Sequence, residues 1–261
     1  MHPAPLPPQP AIPLWPLPLL AGLLPALAAL LAWLMATQQG LVPSCNPFTE
    51  GCVSISRAAR HGLPNHVFRA LVLPAAALQG LCWLIMARWL MQRCATHELP
   101  TGAGPRLLAA LGLAAAAALV LYGAFLGTEG NVYRLLRQYG TVVYFGFTCL
   151  CLLIAGAGVQ RLARGGVLQV GRLTLHAMSA LSIALVLLGL VSVGVGAVGG
   201  DELKYRIENI TEWWAGLIFV LGFVALSALW WRCGLRAWLG RTEAIGDDPQ
   251  APMEVRAVWR D

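Results

Sequence analysis

The sequence predicts an all-α integral membrane protein built as a bundle of six transmembrane helices. Apolar residues make up 58% of the 261 residues and charged residues only 11%, and the mean hydropathy is +0.67. Apolar runs long enough to cross roughly 30 Å of hydrocarbon as helices recur along the chain. A transmembrane β-barrel would instead alternate apolar and polar residues. These runs do not alternate, so the helical class is favoured.

Six apolar runs are the predicted spans. They are continuous in Leu, Ala, Val and Gly, and the segment AALGLAAAAALV in the third consists mostly of strong helix formers. The six runs cover residues 17–35, 67–87, 107–127, 142–158, 173–198 and 212–231.

Three segments follow from these runs. Residues 1–16 form a lead with seven prolines and no Lys or Arg, which differs from the basic start of a cleavable signal peptide. Residues 17–231 form the transmembrane domain, including an outer loop at 37–66. Residues 232–261 are a polar tail of mixed charge. We expect little structure in the lead or the tail.

The basic residues predict the orientation. An even number of spans places both termini on one side, where nine arginines flank the helix ends, against seven basic residues on the other side. The positive-inside rule then predicts cytoplasmic termini in a cell inner (plasma) membrane. Because the net charge of +6 is spread over loops and tail, it favours helix-flanking roles over nucleic-acid binding.

Cys45 and Cys52 flank a short polar loop on the predicted outer side. Their separation can close a disulfide, which only an oxidising compartment would preserve. Two unpaired thiols are the alternative. The spacing is not followed by a second ligand pair, and His61 and His66 complete no zinc pattern, so no metal is predicted. No cofactor is predicted either, because His176 has no second intramembrane histidine to share a haem.

Charged residues at the outer ends of two apolar runs are the first candidate pocket residues. Arg69 lies just inside the second run and Glu212 opens the sixth, and we expect them to pair because a charge in a membrane needs a partner. Glu208, Asn209 and Glu212 share an edge of one helix. This edge predicts either a structural ion pair that fixes helix register or a functional cavity.

A second outer cluster precedes the fourth span. Glu129, Tyr133, Arg134, Arg137 and Tyr139 lie there. The favoured interpretation is an interfacial belt of snorkelling arginines and headgroup-level tyrosines. The alternative is recognition of lipid phosphate by the arginines, with Glu129 and Arg134 as pocket residues.

The serines of the outer loop allow a catalytic hypothesis. Ser54 or Ser56 would be the nucleophile, and His61 or His66 the nearest base in the sequence. The segment is not a G-x-S-x-G elbow, and no triad can be read from it. Serines before a helix also cap its N-terminus, which is the non-catalytic interpretation.

The segment PFTEGCVSISRAARHGLPNHVFRALVLPAA resembles the first extracytoplasmic loop and second helix of the Frag/DRAM/Sfk superfamily. This superfamily includes autophagy modulators and membrane proteins that remodel GPI-anchor lipids. An acidic residue and an aromatic residue at the start of the last helix also look similar, here Glu212 and Trp213. The matching order in the first segment is Ser54, Ile55, Ser56, Ala58, Gly62, Pro64 and Arg69.

The resemblance implies six spans with cytoplasmic termini and an association with membrane lipid. The run CNPFTEGC departs from the simpler sequence that precedes the serines in the family. The chain is rich in arginine and contains one lysine, Lys204, which suggests a bacterial protein. Because bacteria lack GPI anchors, the lipid association carries over and the GPI substrate does not.

The predicted function is an extracytoplasmic-face pocket that handles or senses a lipid or lipid-linked group. Its candidate residues are Ser54, Ser56, Arg69, Glu129, Arg134, Glu208, Asn209 and Glu212. One alternative is a membrane-embedded acyltransferase or hydrolase that uses a loop serine. Another is a non-catalytic structural or partner-binding membrane protein. Membrane lipid is the predicted partner, and a protein partner is left open.

Overall fold

The computed structural model describes residues 11–168, 171–198, 200–239 and 255–256. Within them, six helices are long and apolar enough to cross a membrane. The predicted all-α class is therefore confirmed, and the chain is a multi-pass membrane protein. The six are α1 (Pro16–Gln38), α3 (Gly62–Thr96), α4 (Gly104–Ala124), α5 (Asn131–Arg164), α6 (Arg172–Val198) and α7 (Asp201–Arg232), and a short α2 (Ile55–Ala58) lies between α1 and α3.

The six long helices close into a ring. Each packs against its neighbours in the chain, and α7 packs back against α1. The short α2 contacts both α1 and α7, while α5 also touches α3 and α7. The ring therefore encloses an interior that side chains of several helices can reach.

Two helices begin well before their apolar runs. The run of the fourth span begins at residue 142 but α5 begins at Asn131, and the last run begins at 212 but α7 begins at Asp201. The additional turns are polar and mostly exposed. They lie at the end of the bundle that carries the loop between α1 and α3, which we call the disulfide side. The polar start of α7 is what this loop packs against.

The lead and the tail form a small antiparallel sheet, which differs from the expectation of little structure. Strand β1 (Ala11–Pro13) pairs with β2 (Arg236–Leu239), which pairs with β3 (Val255–Arg256). Residues 1–10, 240–254 and 257–261 lie outside the described residues. The pairing joins the segment before α1 to the segments after α7. We call this end of the bundle, opposite the disulfide side, the termini side.

Small residues allow close helix packing inside the ring. Gly112 of α4 faces the Cβ of Trp83 of α3 so closely that a methyl group there would overlap it. Trp83, Trp89 and Trp230 are fully buried. Glycine at helix contacts is a common way to bring backbones together in membranes, where packing contacts drive association.

Candidate functional site

Side chains on the first half of α7 bind the backbone of residues 45–56, which we call the disulfide loop. Asn209 Nδ2 donates to the carbonyl oxygen of Gly51 at 2.7 Å, and Trp213 Nε1 donates to that of Val53 at 2.9 Å. Asn209 and Trp213 are four residues apart and therefore share a helix face. Two further bonds are similar, from Arg206 Nε to the Glu50 carbonyl (2.9 Å) and from Trp214 Nε1 to the Phe48 carbonyl (3.1 Å).

A glycine and a disulfide give the loop the shape that fits α7. Gly51 has a φ of +65°, and a Cβ at this position would collide with the carbonyl oxygen of Arg206. The predicted disulfide between Cys45 and Cys52 is formed, with a Cα–Cα distance of 6.6 Å. Inside the closed loop, the ring of Phe48 lies 5.4 Å from that of Trp213. The loop is therefore held covalently, by hydrogen bonds and by aromatic contact.

The two serines order the start of α2. Ser54 is the N-cap residue, and its Oγ accepts a hydrogen bond from the backbone N–H of Arg57 at 3.2 Å. The Oγ atoms of Ser54 and Ser56 are 3.1 Å apart. The backbone N–H of Ser56 donates to Glu212 Oε1 at 3.2 Å. Because first-turn N–H groups have no partner within a helix, this carboxylate completes the cap of α2 from outside.

The histidines do not join the serines. His61 and His66 are exposed, and His61 precedes α3 without a side-chain capping bond. Among the described residues, Ser54 and Ser56 hydrogen-bond to each other and to backbone, and neither bonds to a histidine. The arrangement lacks the nucleophile–base contact that serine catalysis requires.

The turn after α2 is fixed to the neighbouring helix end. Asn65 is buried, and its Nδ2 donates to the carbonyl oxygens of Ala59 at 2.9 Å and Leu126 at 3.0 Å. Arg137 of α5 donates to the carbonyl oxygens of Phe125, at 3.0 Å, and Thr128. These side chains satisfy carbonyl groups at and after the C-terminus of α4, which have no helical partner.

An apolar cavity of about 150 Å³ lies inside the ring below the disulfide loop. It is bounded by α1, α3, α4, α5 and α7, while Phe48 and Ile55 of the loop contribute to its disulfide-side end. Most of its lining side chains are aliphatic or aromatic. The polar members of the lining are Gln79, Tyr122, Thr141, Tyr144 and Glu212. A second cavity of about 360 Å³ lies against Cys45, Asn46 and Pro47 and shares Leu30, Phe48 and Trp213 with the first.

Gln79 has a defined structural partner on the cavity wall. Pro25 lies inside α1 and has no backbone N–H, so the carbonyl oxygen of Ala21 loses its usual helical donor. Gln79 Nε2 of α3 donates to this oxygen at 3.0 Å. The Gln79 side chain is 2% exposed. The one bond therefore gives a partner both to the buried Gln79 amide and to the Ala21 carbonyl.

Charged groups surround the disulfide-side end of the cavity. Glu212 lines it and interacts electrostatically with Arg60 and Glu208. The buried phenol of Tyr122 lies within the electrostatic influence of Glu212, Arg60 and Arg137. The Nε atom of Arg60 is buried and has no hydrogen-bond partner among the described residues. One end of an apolar chamber therefore combines a carboxylate, a phenol and neighbouring guanidinium groups.

The described residues contain no cluster of three or more His, Cys, Asp or Glu side chains that could hold a metal ion. Comparison with protein-family models, curated proteins and solved structures yields no match.

The structure brings together four of the eight sequence-predicted pocket residues. Ser54, Ser56, Asn209 and Glu212 lie at the contact between the disulfide loop and α7. Of the eight, Glu212 is the one that the described residues place in the cavity lining. Among the other four, Arg69 is half-buried on α3, and Glu129, Arg134 and Glu208 are exposed.

The expected ion pair between Arg69 and Glu212 is not formed. Within the described residues, the hydrogen-bond partner of Glu212 is the backbone of Ser56, and the arginine whose charge acts on it is Arg60. Arg69 lies on α3 and Glu212 on α7, and α1 packs between these two helices in the ring.

Sequence reasoning missed several residues of the chamber. Arg60, whose charge acts on Glu212 at the edge of the chamber, is not among the predicted pocket residues. Tyr122 lies in the third apolar run, where nothing in the local sequence distinguishes it from its neighbours. Gln79 did carry a signal, since an amide in the middle of an apolar run must hydrogen-bond. Pro25, in the facing apolar run, marks the carbonyl that receives this bond.

Proposed function

We propose that this multi-pass membrane protein binds a lipid or lipid-linked molecule in the chamber beneath the disulfide loop. The observation that carries the proposal is the position of Glu212, a carboxylate at one end of an apolar cavity inside a membrane-spanning bundle. Ligand sites commonly combine an apolar lining with a few convergent polar groups. An amphipathic ligand matches both parts.

The chemistry of the polar end favours a hydrogen-bond donor on the ligand. Glu212 accepts one bond from Ser56 through Oε1, and a carboxylate has further acceptor positions. A hydroxyl or amine of a lipid head would suit it. Arg60, close enough to act electrostatically on Glu212, would suit an adjacent phosphate. The superfamily resemblance supports the same proposal, because it implies an association with membrane lipid.

The disulfide supports an orientation. A bond between Cys45 and Cys52 persists in an oxidising compartment, so we place the disulfide side outside the cytoplasm and both termini inside. The membrane is then the inner (plasma) membrane of a bacterial cell. Labelling intact cells with an impermeant thiol reagent, before and after an impermeant reductant, tests this: new labelling at Cys45 and Cys52 is expected after reduction.

The experiment that tests ligand binding compares Glu212→Gln with Glu208→Gln. Both changes remove one carboxylate from α7, but Glu208 is exposed and does not line the cavity. Lipids that copurify with each protein are quantified by mass spectrometry, together with the total lipids of cells with and without the gene. We expect Glu212→Gln alone to lose a copurifying lipid. The proposal would be contradicted if the wild type and both variants copurified with equal amounts of lipid and if cells with and without the gene had the same lipid profile.

Catalysis by Ser54 or Ser56 is the competing proposal. It is disfavoured by the role of Ser54 Oγ as the cap of α2 and by the exposure of both histidines. It predicts loss of function in a Ser54→Ala or Ser56→Ala variant that still folds.

A further inference from the structure

The cavity reaches the outer surface of the bundle at two residues. Of the side chains that line it, Leu30 of α1 and Leu217 of α7 are exposed, at 44% and 38%, and the others are buried or half-buried. These two helices are neighbours in the ring. The cavity therefore approaches the surface between α1 and α7.

Two contacts, one on each side of this point, bound an interval along the α1–α7 interface. Toward the disulfide side, the rings of Trp33 and Trp213 meet edge to face at 6.3 Å. Toward the termini side, a Cβ on Gly22 would lie 2.8 Å from the Cβ of Phe223, so the helices are in close contact there. From residue 22 to residue 33, α1 rises about 16 Å.

Small side chains occupy the interval between those two contacts. Ala26 and Ala29 of α1 and Gly216 of α7 all line the cavity. The antiparallel course of the helices places Leu30 and Leu217 at similar depth, because Trp33 lies opposite Trp213 and Gly22 opposite Phe223. We call this interval, with Leu30 and Leu217 at its rim, the lateral window.

Exposed apolar side chains surround the lateral window. On α1 it is flanked by the exposed side chains of Leu27 and Leu34, each 46% exposed, and on α7 by Leu221 and Val224. A cavity of about 150 Å³ is comparable to engineered protein cavities that hold one benzene-sized molecule. It can therefore accept a segment of one hydrocarbon chain, while any second chain of the lipid stays in the bilayer.

We infer that the lateral window admits one hydrocarbon chain of a membrane lipid directly from the bilayer into the chamber. This inference rests on the proposed function and specifies how the ligand enters and which part of it the chamber holds. The chain end lies among the aromatic side chains near Phe219 and Tyr144, and the polar part of the lipid lies toward Glu212. The chain can come from a phospholipid acyl group or from an isoprenoid.

Photocrosslinking in vesicles tests the inference. The purified full chain is reconstituted with a phosphatidylethanolamine that carries a diazirine near the end of one acyl chain, or with an isoprenyl phosphate that carries the same group. Labelled residues are identified by mass spectrometry. We expect one of the probes to label interior residues such as Tyr144 and Phe219 of the wild-type protein, and the probe that does so identifies the source of the chain.

Bulky substitutions at the rim test whether the lipid chain enters through the lateral window, independently of whether the chamber holds it. Leu30→Trp and Leu217→Trp should each lower interior labelling about tenfold, which corresponds to about 1.4 kcal/mol. Leu27→Trp and Leu221→Trp are the matched controls, because these leucines are exposed to a similar extent on the same helices (46% and 44%) but do not line the cavity. Labelling of the lipid-facing residue Leu190, 63% exposed on α6, should stay constant in all variants.

The outcomes distinguish the two proposals. If neither probe labels the interior of the wild-type protein, the chamber does not hold a lipid chain, and the proposed function fails with the inference. If the interior is labelled equally in the rim variants and their controls, the lipid chamber stands and the lateral window is overturned. Selective loss of interior labelling in both rim variants supports the inference.

Discussion

The side chain of Gln79 donates a hydrogen bond to the backbone carbonyl of Ala21 at 3.0 Å, across the contact between α3 and α1. The carbonyl is available because Pro25, four residues later, cannot donate to it. The pair joins two features of the sequence, a proline in one apolar run and an amide in another, in one buried bond on the wall of the chamber.

A double-mutant cycle should detect this compensation. Gln79→Leu leaves the Ala21 carbonyl buried and unpaired, which should lower the free energy of unfolding by about 1–3 kcal/mol. Pro25→Ala restores a backbone donor to that carbonyl, so the same Gln79→Leu change should cost about 1 kcal/mol less in the Pro25→Ala background. Thermal unfolding in detergent measures the stability of the wild type, the two single variants and the double variant. Strictly additive losses of stability would show that the bond does not couple the two sites.

Glu212 should have separable structural and ligand-binding roles. Glu212→Ala removes the acceptor of the Ser56 N–H and should destabilise the protein by about 1–3 kcal/mol, as expected for an unpaired buried donor. Glu212→Gln retains an acceptor oxygen and should cost less. Thermal unfolding and limited proteolysis of the disulfide loop provide the measurements. Equal destabilisation by Ala and Gln would indicate that the negative charge itself holds the loop.

The disulfide should stabilise the disulfide loop, which covers one end of the chamber. For the short loop between Cys45 and Cys52, chain entropy predicts a contribution of about 2.5 kcal/mol. The double variant Cys45→Ser, Cys52→Ser should therefore unfold at a lower temperature than the oxidised protein. Reductant should lower the unfolding temperature of the wild-type protein toward that of the variant and leave the variant unchanged. A reductant effect of the same size in the variant would assign the stabilisation to something else.

Substitution of the two serines should affect stability to different extents and should leave function intact in both cases. Ser54→Ala removes the cap of α2 and should cost about 1 kcal/mol. Ser56→Ala retains the backbone N–H that binds Glu212 and should cost less. Neither change should abolish the difference in total lipids that we expect between cells with and without the gene. Loss of that difference in either variant, at a normal amount of folded protein, would favour the nucleophile hypothesis over the binding pocket.

Two helix glycines should respond oppositely to alanine. Gly112→Ala inserts a methyl group against the Cβ of Trp83, and overpacking of this kind should cost about 1–3 kcal/mol. Gly146→Ala is the matched control within α5, where no described atom beyond the adjoining turns of the helix lies within 4 Å of the added Cβ. It should be neutral, or stabilising by up to about 1 kcal/mol. Destabilisation of similar size at both positions, in thermal unfolding, would contradict the packing assignment.

Local patterns in the sequence predicted the bundle but only part of the site. The apolar runs identified all six spans because each run must satisfy its own backbone in lipid. They misplaced the starts of α5 and α7, because polar turns beyond the bilayer leave no hydropathy signal. Cys45 and Cys52 were paired correctly since they are close in the chain. Arg69 and Glu212 were paired incorrectly, because depth in the membrane does not tell which helices are neighbours, and α1 packs between α3 and α7.

The sequence by itself determined the helical class, the number of spans and the disulfide. Each of these depends on local composition or on the cost of a polar group in hydrocarbon. The tertiary structure decided that Glu212 binds the Ser56 backbone, that Gln79 compensates for Pro25, and that a chamber reaches the surface beside Leu30 and Leu217. These relationships join residues far apart in the chain, and they arise only when helices pack at a particular rotation and depth.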